Sequence, residues 1–205
     1  MVKRDFVKHI VLLLLLLTGI IGLRVWFFEP VTITKDESNT YLHENDSIIA
    51  FKNATIEHGD FILYEIDGHE YVSRVIAMTN ERVTYMDDVL YRNDVVVDET
   101  YLDAPQFQEY YTEDLTVATI TDGKLQVIPR DYFLVLNDNR TNKDDSRTFG
   151  LIPKKNVIGR LTFRISPLSD FGFIKTGLVN ENWSYFFAYI KKRAIPIFVL
   201  TKRNA

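Results

Sequence analysis

The sequence predicts an all-β domain attached to a single N-terminal transmembrane helix. Three observations support this prediction. An uncharged apolar run lies near the N-terminus, short alternating segments rich in β-branched and aromatic residues follow it, and no convincing amphipathic helix precedes residue 170. A length of 205 residues suits one domain plus an anchor.

The anchor is predicted at residues 10–28, after a short cytoplasmic segment at residues 1–9. As a helix this run rises about 28 Å, close to the thickness of a bilayer core. Arg24 lies one turn from its outer end, where its side chain can reach the headgroups, and Trp26 begins an aromatic group typical of a membrane interface.

The orientation of the anchor follows from its flanking charges. Lys3, Arg4 and Lys8 precede the span, which favours a cytoplasmic N-terminus and an outer face for everything after residue 30. The alternative is a cleaved secretory signal. No small-x-small site follows the apolar run, so we expect an uncleaved anchor in the plasma membrane.

The outer domain is predicted at residues 29–180, because the hydrophobic period changes to that of strands. The predicted strands cover residues 31–34, 47–51, 60–66, 70–78, 82–85, 89–91, 115–120, 132–136 and 157–164. Residues 98–125, acidic and rich in tyrosine, are interpreted as a cap or excursion. In the tail, 181–205, basic residues 191–193 divide two apolar runs and argue against a second crossing. Either an interfacial patch on lipid or an element packed on the domain fits this tail.

Composition excludes several classes of site. The chain has no cysteine, which excludes a disulfide, a thiolate nucleophile and a zinc–thiolate site. The absence of cysteine from an outer-face domain is typical of Gram-positive bacteria. The net charge of −4 gives no reason to expect a nucleic acid partner. The four histidines lack metal-ligand spacing, so we expect no metal and no cofactor.

One sequence box is specific enough to indicate a family. Residues 138–140 read Asp-Asn-Arg, residues 145–147 read Asp-Ser-Arg, and Gly150 follows. This arrangement is similar to the Gly-Asp-Asn-Arg-x-x-Ser-x-Asp-Ser-Arg box of type I signal peptidases (leader peptidases). Residues 29–34, 57–60 and 71–76 also resemble stretches of that family in the same order, so the resemblance spans nearly the whole chain. It implies a signal-peptidase-like fold.

The resemblance also implies a serine–lysine dyad, in which a lysine of lowered pKa accepts the proton of an attacking serine. The matching positions here hold other residues. Counting from either side, the serine position is Glu37, and the lysine position, directly before Arg74, is Ser73. The glycine two residues before the nucleophile is Lys35, and the serine that orients the lysine is Lys143.

These four changes accompany a box that is otherwise kept, in Asp138, Asn139, Arg140, Asp145, Ser146 and Arg147. We therefore expect a rebuilt site of Lys35, Glu37 and Lys143. One hypothesis pairs Glu37 with Lys143 as ions, because an unpaired buried carboxylate is costly. The alternative is that both side chains point to solvent.

Two functions follow. The first is a non-catalytic protein that keeps the peptide groove and binds extended segments. Dyad-lacking members of this family in Gram-positive bacteria are associated with pilus assembly, so the resemblance implies a pilin-like partner and a sortase nearby. The second is an active signal peptidase that uses Ser38 as nucleophile and Lys143 as base. A one-residue slip turns a side chain to the opposite face, which argues against the second. A degenerate paralogue with little function is a third alternative.

Overall fold

The computed structural model describes residues 2–102 and 112–177. The predictions for residues 181–205 lie outside this range, as do residues 103–111 of the predicted cap. Helix α1 spans Val2–Phe27. Its segment Lys8–Phe27 has a mean hydropathy of 2.5 and the length needed to cross a membrane. The predicted N-terminal apolar helix is therefore confirmed.

Helix α1 ends one residue before the predicted end of the anchor. Phe28 belongs to strand β1, where it pairs with Phe51 across the sheet. Their rings meet edge to face with centroids 4.8 Å apart. The chain thus leaves the helix directly into the sheet, because cross-strand aromatic packing fixes Phe28 in an extended conformation.

Most of the domain is β-structure, as predicted. The strands are β1 Phe28–Thr32, β2 Ser47–Phe51, β3 Phe61–Ile66, β4 His69–Ala77, β5 Val83–Met86, β6 Val89–Arg92, β7 Val95–Val97, β8 Leu115–Thr116, β9 Tyr132–Leu136, β10 Ile152–Pro153, β11 Val157–Ser166 and β12 Gly172–Phe173. Within the described residues the larger sheet has the order β1-β2-β11-β3-β4-β9-β10, with β12 paired to β11. A smaller sheet has the order β7-β6-β5-β8.

The prediction of a strand over residues 115–120 was wrong from residue 117 onward. Only Leu115–Thr116 form a strand, and Val117–Ile120 form the short helix α2. Thr116 and Thr119 form reciprocal side-chain to backbone hydrogen bonds at its start. Such a capping box satisfies amides that a longer strand would need to pair, so it favours the helical turn.

A second single-turn helix, α3, spans Ser146–Phe149 and begins at the N-cap Asp145. Both helices are too short to produce an amphipathic pattern in the sequence.

The cores of the two sheets lie on separate groups of apolar side chains. One group under the larger sheet includes Ile33, Leu42, Ile48, Phe61 and Val72, all buried. Another joins the smaller sheet to the ends of β4 and β9, and includes Val83, Tyr85, Leu90, Leu134 and Leu136. The loop between β1 and β2 is thus anchored by Ile33 and Leu42, which fixes the turn at residues 35–37 against the sheet.

Strand β4 leaves part of one edge without a strand partner. It pairs with β3 from His69 to Arg74, whereas its pairing with β9 begins only at Arg74. On the β9 side no strand among the described residues pairs with residues 69–73, and residues 70–72 line a cleft together with Asp36 and Glu37 of the turn at residues 35–37. This open edge and that turn form the two walls of the site.

Candidate functional site

The retained box is built around a buried ion pair. Arg74 donates to both carboxylate oxygens of Asp138, from Nε at 2.7 Å and from Nη2 at 2.6 Å. Its side chain is fully buried, and its Nη1 donates to the Gly59 carbonyl at 2.9 Å. The guanidinium also lies 3.9 Å from the ring centroid of Tyr101. Bidentate geometry and aromatic stacking are what a buried guanidinium needs, so this pair fixes the start of the box on β4.

The end of the box is held by Asp145. Its Oδ2 accepts from the Asn137 amide at 2.8 Å, and its Oδ1 accepts from the Arg147 amide at 2.9 Å. Arg147 donates onward to the carbonyls of Arg140 and Asn142, at 2.7 and 2.6 Å. The Ser146 hydroxyl accepts from the amide of Val135 on β9 at 3.0 Å. These contacts fold residues 137–147 into a rigid loop, so the retained residues serve the scaffold.

Arg140 connects the box to the smaller sheet. Its Nη2 donates to Glu99 Oε1 at 2.6 Å, and the hydroxyls of Tyr85 and Tyr101 donate to the same oxygen. Burial, followed by the charge of Glu99, raises the pKa of Tyr101, so it remains a neutral donor. Asn139 has a local role, since its Oδ1 accepts from the Thr141 hydroxyl at 2.6 Å.

Glu37 lies at the cleft, half-buried, at the position where the family resemblance expects serine. Its Oε1 accepts from the backbone amide of Val72 on β4 at 3.0 Å. Its Oε2 accepts from the backbone amide of Thr34 at 3.0 Å and from the Thr34 hydroxyl at 2.7 Å. The carboxylate thus bridges the two walls of the site.

Ser73 lies buried at the position where the resemblance expects the lysine. Its hydroxyl donates to Asn137 Oδ1 at 2.7 Å and lies 3.0 Å from the Tyr64 hydroxyl. The side-chain Nδ2 of Asn137 donates to the backbone carbonyls of Asn142 and Asp144, both at 3.3 Å. Burial raises the pKa of Tyr64 well above its ordinary value, so this group stays protonated. The network is neutral and its described members offer no base to a nucleophile.

Asn137 and Tyr64 are site residues that were not predicted from the sequence. A signal for Asn137 was present, because it occupies the position of the glycine that opens the family's box. Its side chain reaches Ser73 through space that a glycine would leave empty. Tyr64 carried no such signal, because an aromatic residue within a strand pattern is indistinguishable from core.

The expected ion pair between Glu37 and Lys143 is not formed. Lys143 Nζ lies 2.5 Å from Glu113 Oε1, and both side chains are at least half-exposed. This ammonium lowers the pKa of Glu113. The Glu37 carboxylate is stabilised without a cationic partner, because it accepts three hydrogen bonds. The box residue that does hold the Glu37 turn is Asn142, whose Nδ2 donates to the Asp36 carbonyl at 3.1 Å.

The alternative dyad of Ser38 and Lys143 is not assembled either. The Ser38 hydroxyl donates to the Lys35 carbonyl at 2.7 Å, within its own turn. Lys143 is engaged by Glu113, and no hydrogen bond joins it to Ser38 within the described residues. Lys35, expected as part of the rebuilt site, is exposed.

The walls enclose a cleft of about 160 Å³. Four acidic residues and two asparagines are among its lining residues: Thr34, Asp36, Glu37, Glu70, Tyr71, Val72, Asn137, Asn142 and Asp144. No group of three or more residues suited to hold a metal ion occurs in the described part of the chain. Two backbone amides at this lining, those of Thr34 and Val72, are bound by the Glu37 carboxylate.

Comparison with known proteins decides the family. The model of the family described as signal peptidase, peptidase S26, matches residues 3–166. The chain belongs to the signal peptidase S26 family. The resemblance noted from the box is therefore confirmed over most of the chain.

Three similar proteins illustrate the range of this family. Signal peptidase IB of Staphylococcus aureus (strain MRSA252) is 32% identical over 154 residues, which cover 70% of this chain and 81% of that protein. A Staphylococcus aureus (strain COL) protein named inactive signal peptidase IA is 30% identical over 170 residues, covering 81% of this chain and 95% of that protein.

The third is the crystal structure of a signal peptidase I from Enterococcus faecalis V583, 33% identical with a TM-score of 0.49. The structural match covers 53% of this chain and 98% of the Enterococcus faecalis chain. The names in this S26 family include both a signal peptidase and an inactive one. Family membership therefore does not decide whether a chain is active, and the residues at the dyad positions, 37 and 73, carry that question.

Proposed function

We propose that this S26 family protein is a non-catalytic, membrane-anchored binder of extended peptide segments that assists surface pilus assembly. Its partners are membrane lipid, a pilin-like protein and, in the same assembly, a sortase. The observation that carries the proposal is the pair of residues at the dyad positions. Glu37 binds backbone amides, and Ser73 belongs to a neutral buried network.

Chemistry at these positions argues against peptide-bond hydrolysis. A serine nucleophile needs a base within hydrogen-bonding reach. The described partners of the Ser73 hydroxyl are a phenol and an amide oxygen, and neither accepts a proton near neutral pH. Glu37 is a weak nucleophile whose oxygens already accept three hydrogen bonds. Neither position supports acyl transfer.

Peptide binding needs only the walls of the cleft. An open strand edge can accept an extended segment through main-chain hydrogen bonds, without any catalytic side chain. The edge of β4 that faces away from β3, at residues 69–73, has no strand partner among the described residues. The scaffold that holds it, from Arg74–Asp138 to Asp145–Arg147, is intact.

The location at the outer face of the plasma membrane is part of the proposal. The basic residues before the apolar span favour a cytoplasmic N-terminus. Strand β1 follows α1 directly, so the cleft would lie near the membrane surface, where a membrane-tethered partner could reach it.

A test by co-purification uses the full chain in its bacterial membrane with a pilin-like protein or a sortase as the partner. Val72→Pro removes one open-edge amide, and proline is tolerated where the N–H faces away from the neighbouring strand. Val72→Ala is the matched control, because it shortens the side chain and keeps the amide. We expect the partner to be lost with Val72→Pro and retained with Val72→Ala.

The catalytic alternative is tested with a preprotein cleavage assay. The wild-type chain and Ser38→Ala should both leave the preprotein uncleaved. Cleavage by the wild type that disappears in Ser38→Ala would overturn the non-catalytic proposal. Equal loss of partner in both Val72 variants would overturn the binding site.

A further inference from the structure

The carboxylate of Glu37 occupies two backbone donors that face each other across the cleft. One is the Val72 amide on β4, bound to Oε1, and the other is the Thr34 amide, bound to Oε2. Residues 37 and 72 are 35 positions apart in the chain, so this contact joins separate segments. We refer to this pair of contacts as the Glu37 bridge.

Both amides point into the cleft because of strand geometry. Ile33 exchanges hydrogen bonds with Asp46 and Asn45 on the β2 side, each at 2.9 Å. Backbone groups of successive extended residues point to opposite sides, so the Thr34 amide faces away from β2. The Val72 amide likewise faces away from β3, on the edge that β9 does not cover. These are the donors that an inserted strand would use.

We propose that Glu37 is a built-in ligand of the cleft, whose carboxylate oxygens take the places of main-chain carbonyls of a docked extended segment. The proposal rests on the peptide-binding function proposed above. The occupant is a main chain that offers carbonyl oxygens to the Val72 and Thr34 amides. Before it docks on both walls, the Glu37 side chain must leave, so Glu37 lowers the affinity of the open cleft.

The turn can release the side chain without unfolding. The Asp36 carbonyl is held by Asn142, and the Ser38 amide donates to the Lys35 carbonyl, so the backbone has anchors of its own. Three more acidic residues, Asp36, Glu70 and Asp144, belong to the lining of the same cleft. Like charges in one cleft repel, which weakens the closed arrangement relative to a neutral occupant.

The experiment measures binding of a fluorescein-labelled heptapeptide, Ser-Val-Thr-Ala-Thr-Val-Ser, to the full chain in detergent micelles by fluorescence anisotropy. Glu37→Ala removes the carboxylate, and Glu37→Asp keeps the charge but is too short to bridge both amides. Glu65→Gln, on the exposed part of β3, is the charge-matched control. The apparent affinity is proportional to the fraction of molecules whose cleft is open. Because Glu37→Ala raises that fraction, we expect it to bind the peptide at least about fivefold tighter than wild type.

Hydrogen exchange gives a second readout. The Val72 amide should exchange slowly in the wild type, faster in Glu37→Ala and Glu37→Asp, and slowly again once the peptide is bound. Glu65→Gln should match the wild type in both measurements. This pattern separates occupation of the amide from a general loss of stability, which would expose other amides of β4 as well.

The outcomes distinguish this inference from the function it rests on. If Val72→Pro weakens the peptide but neither Glu37 variant tightens it, the built-in ligand is refuted and the peptide site stands. If no variant binds the peptide, or if Val72→Pro binds it as well as wild type, the proposed peptide site fails and the inference fails with it.

Discussion

The box at residues 138–147 and the dyad positions 37 and 73 lie against each other, yet they differ in what holds them. The box depends on buried ion pairs, Arg74–Asp138 and Arg147–Asp145. The dyad positions depend on hydrogen bonds, from backbone amides to Glu37 and between neutral groups at Ser73. Asn142 joins the two regions through the Asp36 carbonyl.

The box and the dyad positions are therefore separable parts of the fold. The charged residues of the box orient loops and strands, so they are needed whether or not the site cleaves a bond. Positions 37 and 73 form no such ion pair among the described residues, and they accept side chains whose polar groups find hydrogen-bond partners, as Glu37 and Ser73 do. The presence of the box residues therefore indicates that the cleft is formed, and it does not indicate whether the cleft is catalytic.

The largest expected effect is at the buried pair of the box. Asp138→Asn leaves the Arg74 guanidinium without its counter-ion, which should cost about 3–5 kcal/mol in the free energy of unfolding. Urea denaturation followed by circular dichroism measures it. Asp122→Asn is the control, because its pair with Lys124 is exposed and should change stability by less than about 1 kcal/mol. Equal effects of the two variants would contradict a structural role for the box.

An intermediate effect is expected at the neutral network. Ser73→Ala leaves Asn137 Oδ1 and the Tyr64 hydroxyl short of a partner in a buried place, at a cost of about 1–3 kcal/mol. Ser73→Thr, which keeps the hydroxyl, is the comparison variant in the same denaturation experiment. If Ser73→Ala were neutral and Ser73→Thr were not, packing rather than hydrogen bonding would dominate at this position.

The smallest effect is expected at Lys143. Because its pair with Glu113 is largely exposed, Lys143→Ala should change the free energy of unfolding by less than about 0.5 kcal/mol. A double-mutant cycle of Glu37→Ala and Lys143→Ala should give a coupling energy near zero. A clear coupling energy would instead support an ion pair between Glu37 and Lys143.

Lys143→Ala also has a predicted pH dependence. Lys143 lowers the pKa of Glu113 below 4.5, so the pair stabilises the fold above that pH and loses its contribution as the pH falls through the lowered pKa. The small difference between wild type and Lys143→Ala should thus vanish in acid. A thermal shift series across this range checks the sign.

Much of the fold could be predicted because periodicity reports burial directly. The strands at residues 47–51 and 132–136 were predicted with the bounds that the structure has. Where the prediction failed, local contacts overrode the pattern. Val117–Ile120 reads as a strand but is turned into a helix by the capping box of Thr116 and Thr119. Phe28 reads as membrane span but pairs with Phe51.

The apolar span, the β-rich domain and the residues at positions 37, 73 and 138–147 can be identified from the amino-acid sequence alone, because composition, period and motif are local properties. The partners of those residues are set by the tertiary fold. Glu37 meets Val72 rather than Lys143, and Asn142 meets Asp36 across 106 positions. A side chain's partner depends on which distant segments folding brings within hydrogen-bonding reach, and a linear pattern does not encode that distance.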